Sequence, residues 1–259
     1  MSGDSHLTLR LARDENDLMG AKRLRYDVFV EEFGANSDGV DHERRLESDQ
    51  FDAWVDHLIL VDRRREASDH NHVVGAYRLL RSEVAKRQCG YYSSGEFDLS
   101  TLIDSGRSLV ELGRSCIHSD FRGGTGIYHL WRGLACYILD NKIEIMFGSA
   151  SFHGTNINEL SQALTLLHRH HLAPPDMRVK SWPEHYVSMD RVEAEQLNRS
   201  EAIASVPPLI RAYLRLGGFV GDGAYVDHQF NTVDVCLVMD TARMSERHKD
   251  HYIQFWEKR

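Results

Sequence analysis

The stretch that decides the fold is Ser108-Leu-Val-Glu-Leu-Gly-Arg-Ser-Cys-Ile117, with Asp120-Phe-Arg-Gly-Gly-Thr-Gly126 after it and a helical pattern from Ile127 to about Leu139. The first segment reads as a strand and the second as a glycine-rich turn. The third places Ile127, Leu130, Leu134 and Ile138 on one helical face. A glycine turn that opens a helix aims free backbone N–H groups at an anion, and the helix dipole adds positive potential. Arg122 inside the turn reinforces this. A plain tight turn, with glycines serving geometry alone, reads equally well from these residues by themselves. The Walker lysine pattern and Gly-x-Gly-x-x-Gly are both absent, so nucleotide hydrolysis has little support.

Two charged residues stand in the apolar strand. Glu111 and Arg114 must each pair with something or face a cleft, because an unpaired buried charge is costly. A spacing of three puts them on opposite faces of a regular strand, so direct pairing needs a bulge, which Gly113 permits. A carboxylate in a half-buried cleft can take a proton from an amine; two separate structural ion pairs are the plainer alternative. Arg78, inside Gly75-Ala-Tyr-Arg-Leu-Leu80, also calls for a partner. Glu47, Asp49 and Asp52 form an acidic run beside Phe51, which either faces solvent or holds a cationic amine.

Outward from the centre, Leu7–Leu11 alternates as a strand. Asp14 caps a helical segment carrying Leu18, Ala21, Leu24, Arg25, Val28 and Phe29, and Gly34 ends it. Residues 54–80 read as a hairpin, 143–148 as a short strand and 158–168 as a helix. Pro207-Pro208 starts another helix with Leu209, Tyr213, Leu214 and Leu216 inside, and late strands fall at 224–226 and 233–239. Residues 176–203 show no readable pattern. The order of elements predicts an α/β fold, one domain around one mixed sheet flanked by helices.

The chain has 259 residues and a formal charge of −8, from 31 basic and 39 acidic residues. That length suffices for a sizeable core. The balance argues against nucleic acid as a partner, since such proteins need a basic footprint. Of the basic residues 25 are Arg and 6 are Lys, a bias that suits carboxylate or phosphate pairing and equally reflects a GC-rich genome. No apolar run exceeds six residues (Leu134–Leu139) and no signal pattern opens the chain, so the expectation is a cytoplasmic enzyme. Four dispersed cysteines form no Cys-x-x-Cys pair, and His168, His170 and His171 lack metal-ligand spacing, so no metal is expected.

Val110-Glu-Leu-Gly-Arg-Ser-Cys-Ile-His-Ser-Asp-Phe-Arg-Gly-Gly124, with Leu130-Trp-Arg-Gly-Leu134, resembles the ornithine–acyl-carrier-protein N-acyltransferases, which open ornithine-lipid synthesis. Leu24–Gly34, His170–Pro175 and Pro207–Gly217 resemble further segments of that family, so the likeness spans roughly residues 7 to 240. It implies a single GNAT-like domain over 1–259, with a core at about 7–240 and a helical tail at 241–259. It also implies transfer of a 3-hydroxylated fatty acyl group from acyl carrier protein to the α-amine of L-ornithine. Acyl carrier protein thioester would be the co-substrate, with no further cofactor, and peripheral contact at the inner membrane face is a further expectation.

The family is related to GNAT acetyltransferases and acyl-homoserine-lactone synthases. Likeness to the synthases implies that Arg25, Phe29, Asp49, Asp52 and Arg78 shape the substrate pocket, with Glu111 and Arg114 catalytic. Asp49 and Asp52 would hold the ornithine side-chain ammonium. The tryptophan those synthases carry after the first helix is replaced by Gly34-Ala-Asn36, which speaks against lactone synthesis. Arg122, Gly123, Gly124 and Gly126, with Arg132 on the helix, resemble an acyl-CoA phosphate loop whose glycines are out of step. That favours carrier-bound phosphopantetheine over free coenzyme A. Arg211 and Arg215 are outside candidates for a basic docking face. The rival readings are acylation of tyrosine, glutamine or lysine, and a non-catalytic acyl-carrier-binding protein of the same fold.

Overall fold

A computed structural model describes residues 6–123 and 126–243. In chain order its strands are β1 (Leu7–Leu11), β2 (Val40–Asp41), β3 (Leu46–Glu47), β4 (Asp56–Asp62), β5 (Val73–Arg81), β6 (Phe97–Asp98), β7 (Leu109–Ile117), β8 (Ile145–His153), β9 (Lys180–Ser181), β10 (Phe219–Val220), β11 (Tyr225–Asp227) and β12 (Thr232–Asp240). The α-helices are α1 (Glu15–Arg25), α2 (Ser82–Arg87), α3 (Ser100–Ile103), α4 (Gly126–Asp140), α5 (Ser161–His171), α6 (Arg199–Ser205) and α7 (Pro208–Arg215). The described residues fall into two compact units. The first holds 6–89 and 111–142, the second 90–110 and 143–243. Gly124, Thr125 and the expected helical tail from Met244 onward lie outside the described residues.

In the first unit the strands run β1-β4-β5-β7. The expected hairpin is β4 against β5, antiparallel, with Leu58 opposite Tyr77 and His57 opposite Arg78. Helix α1 starts where expected: the Asp14 carboxylate accepts from Asp17 N at 2.9 Å. Its apolar stripe packs Ala21, Leu24 and Val28 against Ile59, Val61, Val73, Ala76 and Cys116. Burying one such leucine stabilises the fold by about 2 kcal/mol. The helix does not continue unchanged to Gly34. At Tyr26 it widens into a π-helix (Tyr26–Glu32), with Phe33 N donating to Val28 O, five residues back. The widening follows directly after Arg25, a place typical of functional π-segments.

Strand β7 is continuous over Leu109–Ile117 but carries a local backbone irregularity. Arg114, one residue past Gly113, has φ +49°, in the left-handed region. A left-handed residue inside a strand departs from regular alternation at that point. Gly126 opens α4 in the predicted turn. A Cβ there would stand 2.7 Å from Phe121 O, so glycine is required by close approach.

In the second unit β12 pairs antiparallel with β8 over nine residues, and β10 and β11 both pair with β12. Strand β8 runs on to His153, five residues beyond the expected end. Helix α7 buries Ile210 and Tyr213, with Leu209 and Leu214 half-exposed, so the expected inner face is rotated by about one residue. The unreadable stretch 176–203 supplies β9, which pairs with β6. Among the described residues no helix is long and apolar enough to cross a membrane.

Candidate active site

The first unit gathers six charged side chains into a closed ring of alternating sign: Arg25, Glu47, Arg114, Asp49, Arg78, Asp52 and back to Arg25. Arg25, the last residue of α1, is fully buried. Its Nη1 and Nη2 donate to Asp52 Oδ1 and Oδ2 at 2.5 and 2.8 Å, its Nε donates to Glu47, and Nη2 also reaches Glu47 O at 2.6 Å. Arg114 Nε donates to Glu47 Oε1 and its Nη2 to Asp49 Oδ2, both at 3.2 Å. Arg78 Nη1 closes the ring on Asp49 Oδ1 at 2.6 Å and Asp52 Oδ1 at 3.2 Å. Three cations face three anions, so the ring is formally neutral, the condition under which charges survive burial.

Local structure makes this possible. Asp49 caps the 3-10 turn Gln50–Ala53: its carboxylate accepts from Phe51 N, and Asp52 reaches back to Asp49 N, a reciprocal capping box. One short turn thus presents two carboxylates at a fixed distance. Burial works to raise the Asp52 pKa, but the Arg25 fork and the Arg78 charge win and hold it far below the usual carboxylate range. Asp49 moves the same way: burial opposes, and Arg78 and Arg114 prevail. His57, whose Nε2 lies 3.2 Å from Asp52 O, is pushed down by burial despite Asp52 and is neutral at pH 7.

The side chains predicted from the sequence are therefore largely together. Arg25, Asp49, Asp52, Arg78 and Arg114 share the ring, and Glu111 is buried on β7, the strand that carries Arg114. Phe29 lies half-buried against the apolar cluster under α1. Glu47, which the sequence presents only as part of an acidic run, joins them. It is fully buried and bridges Arg25 and Arg114. Arg78 has a distinctive feature: its Nε is buried with no hydrogen-bond partner. Nε and Nη2 both lie 3.8 Å from the point where a Cβ of Gly113 would stand.

The glycine turn stands apart from the ring contacts. Arg122 donates through Nε to Ile117 O at 2.9 Å and forks onto Glu32, with Nη2–Oε2 at 2.7 Å, and is partly exposed. Gly123 has φ +72° and is exposed. Arg132 lies over the Tyr128 ring on α4 at 5.5 Å. In the second unit Arg211 donates to Ile203 O and Ala204 O at 3.1 and 3.3 Å, closing the end of α6, while Arg215 is exposed.

Comparison with known proteins gives this arrangement a family. A family described as "Acetyltransferase (GNAT) domain" matches residues 24–132, the span that contains the whole ring and the glycine turn. Among solved structures, a CoA-dependent acyl-homoserine lactone synthase, BjaI, superposes with TM-score 0.50 at 15% identity over 94% of this chain and 83% of that one. FeeM, an N-acyl amino acid synthase from uncultured soil microbes, superposes with TM-score 0.50 at 10% identity over 91% of each chain. At such identities the likeness is one of fold. Among curated proteins, the L-ornithine N(alpha)-acyltransferase of Rhodobacter capsulatus is 51% identical over 97% of this chain and 96% of its own length. Those of Brucella abortus and Rhizobium meliloti are 37% and 39% identical, over 95% and 96% of this chain and 88% and 84% of theirs. With relatives this similar over nearly their whole length, the chain belongs to the L-ornithine N(alpha)-acyltransferase family, on a GNAT-type α/β fold.

Proposed function

We propose that the protein transfers a 3-hydroxy fatty acyl group from acyl carrier protein to the α-amine of L-ornithine, in the cytoplasm, releasing lyso-ornithine lipid. The near full-length relationship to ornithine acyltransferases carries the reading. In the reaction the neutral amine nitrogen attacks the thioester carbonyl, the nitrogen gives up a proton, and the C–S bond breaks to release the carrier thiol. An α-amine with pKa near 8 needs only a positioned base. Glu111, buried on β7, is that base, directly or through one water. Backbone N–H groups on β7 would stabilise the developing oxyanion.

The ring fixes these parts. Asp49 and Asp52 spend their oxygens on arginines and cap N–H groups, so they act as positioning residues here. The Nε edge of Arg78 beneath Gly113 is suited to the acceptor's α-carboxylate, because it is the edge of that guanidinium the aspartates leave unused. Positioning both reactants supplies much of the remaining rate. At the turn, the carrier's phosphate would compete with Glu32 for Arg122 and take the N–H groups at the start of α4.

The test is acyl transfer from 3-hydroxyacyl carrier protein to L-ornithine by the wild type and by Glu111→Gln across pH. Loss of a base predicts about 100-fold slower transfer near pH 7 that recovers as the amine deprotonates by itself. An equal loss at every pH would remove Glu111 as base, and no transfer by the wild type would remove the function.

A further inference from the structure

The guanidinium of Arg122 offers one edge outward. Its Nε donates to Ile117 O at 2.9 Å, which ties that side to the end of β7. Its central carbon lies over the Phe33 ring at 5.9 Å. The remaining Nη1–Nη2 edge is the fork that matches a carboxylate or a phosphate through two parallel hydrogen bonds. Glu32 fills it: Nη1 donates to Oε1 and Nη2 to Oε2, the latter at 2.7 Å, across 90 residues of sequence. Glu32 is the last residue of the π-helix that begins directly after Arg25. The two side chains are 37% and 38% exposed, so a solute can reach the pair.

The neighbouring charges are matched in the same way. Arg65 Nη2 donates to Asp120 Oδ2 at 3.1 Å, and its guanidinium lies over the Phe121 ring at 5.3 Å. His118, with Nδ1 3.5 Å from Asp120, is pushed down by burial and adds little positive charge at pH 7. Glu32 is ionised there, because the Arg122 fork holds its carboxyl below the usual carboxylate range, with burial opposing. All of these residues belong to the first unit. Arg122 with Glu32, and Arg65 with Asp120, are thus two neutral pairs beside the glycine turn. An anion gains the Arg122 fork only by displacing a carboxylate. Its further charges find no net attraction in these pairs, while each must still give up water.

We propose that Glu32 selects the acyl donor: it stands in the Arg122 fork in place of a phosphate, yields to the single phosphodiester of carrier-bound phosphopantetheine, and disfavours coenzyme A. The proposal rests on the reading of acyl carrier protein as donor and names the residue that sets that preference. Shape cannot make the choice, because the fork accepts any phosphate oxygen pair. Charge can. Coenzyme A carries a pyrophosphate and a further phosphate, about three more negative charges than the carrier's phosphodiester. A carboxylate displaced from the fork stays close to whatever has entered it. One repulsion between unit charges about 4 Å apart in water is about a fivefold effect on binding. The carrier's phosphodiester meets that repulsion once, and coenzyme A meets it with each charge near the turn.

Calorimetry on the full chain tests this apart from catalysis, with holo acyl carrier protein and free coenzyme A as probes. Glu32→Gln keeps the size of the side chain and removes its charge. It should tighten coenzyme A about tenfold or more and the carrier by no more than about threefold. The gain for coenzyme A should shrink in about 1 M salt, where charges are screened beyond about 3 Å. Asp120→Asn removes a neighbouring carboxylate that lies outside the fork, and should change either affinity by less than about twofold. In acyl transfer, KM for acyl-CoA should fall relative to KM for acyl carrier protein, with KM for ornithine near the wild-type value. Should Glu32→Gln fail to fold, Glu32→Ala carries the same expectation. No gain for coenzyme A, an equal gain for both probes, or an equal effect of Asp120→Asn would overturn the proposal. Absence of acyl transfer by the wild type, with the coenzyme A gain intact, would count against the catalytic reading alone.

Discussion

Arg25 grips Asp52 with two parallel hydrogen bonds, Nη1–Oδ1 at 2.5 Å and Nη2–Oδ2 at 2.8 Å, with both side chains buried. The same guanidinium holds Glu47 through Nε. One rigid fork therefore fixes two carboxylates at once, and through them Arg78 and Arg114. Arg25→Lys keeps the charge but cannot make this fork. It should destabilise the protein by about 3 kcal/mol, as for a broken buried pair, measured by urea unfolding. A loss under about 1 kcal/mol would show that the ring is not what holds this region together.

Two glycines near the site should respond in opposite ways. Gly113→Ala meets only ordinary contacts, the Arg78 nitrogens at 3.8 Å, so stability should change by less than about 1 kcal/mol. The added methyl group covers the Arg78 edge, so KM for ornithine should rise while KM for the acyl donor stays near the wild-type value. Gly126→Ala drives a Cβ to 2.7 Å from Phe121 O and should cost about 1–3 kcal/mol while disturbing the start of α4. Steady-state kinetics with thermal unfolding separate the two outcomes.

Much of this site was legible in the sequence, and the gaps have physical causes. Arg25, Arg78, Glu111 and Arg114 stood out because a charge inside an apolar pattern demands a partner. Glu47 did not, because in a run with Asp49 and Asp52 it looks like any solvated carboxylate. Its burial is decided by Arg25 and Arg114, which are 22 and 67 residues away. The π-helical turn after Arg25 escaped because hydrophobic spacing cannot distinguish a widened turn from an α-helix ending. The pairing of β6 with β9 escaped because each strand is two residues long, too short for alternation to register.

Stability should fall on acidification in two stages. His57 is neutral in the fold with its pKa pushed down, so its contribution is present above about pH 6.5 and lost as pH drops through the folded value. Asp49 and Asp52 have depressed pKa values, so theirs is intact above about pH 4, the unfolded value, and disappears below it. Urea midpoints between pH 8 and pH 3 should show both steps, and His57→Gln should shrink the first, to which His118 and His171, also pushed down by burial, contribute as well. A midpoint that rises on acidification would contradict this charge assignment.

The most direct measurement offers 3-hydroxyacyl carrier protein together with an equimolar panel of ornithine, lysine, tyrosine, glutamine and norvaline to the purified protein, with fragmentation mass spectrometry of the products. The account predicts one dominant product, ornithine acylated on its α-nitrogen, with stoichiometric release of the carrier thiol. Acylation chiefly of another amino acid, acylation of the side-chain nitrogen, or carrier binding without thioester loss would contradict it.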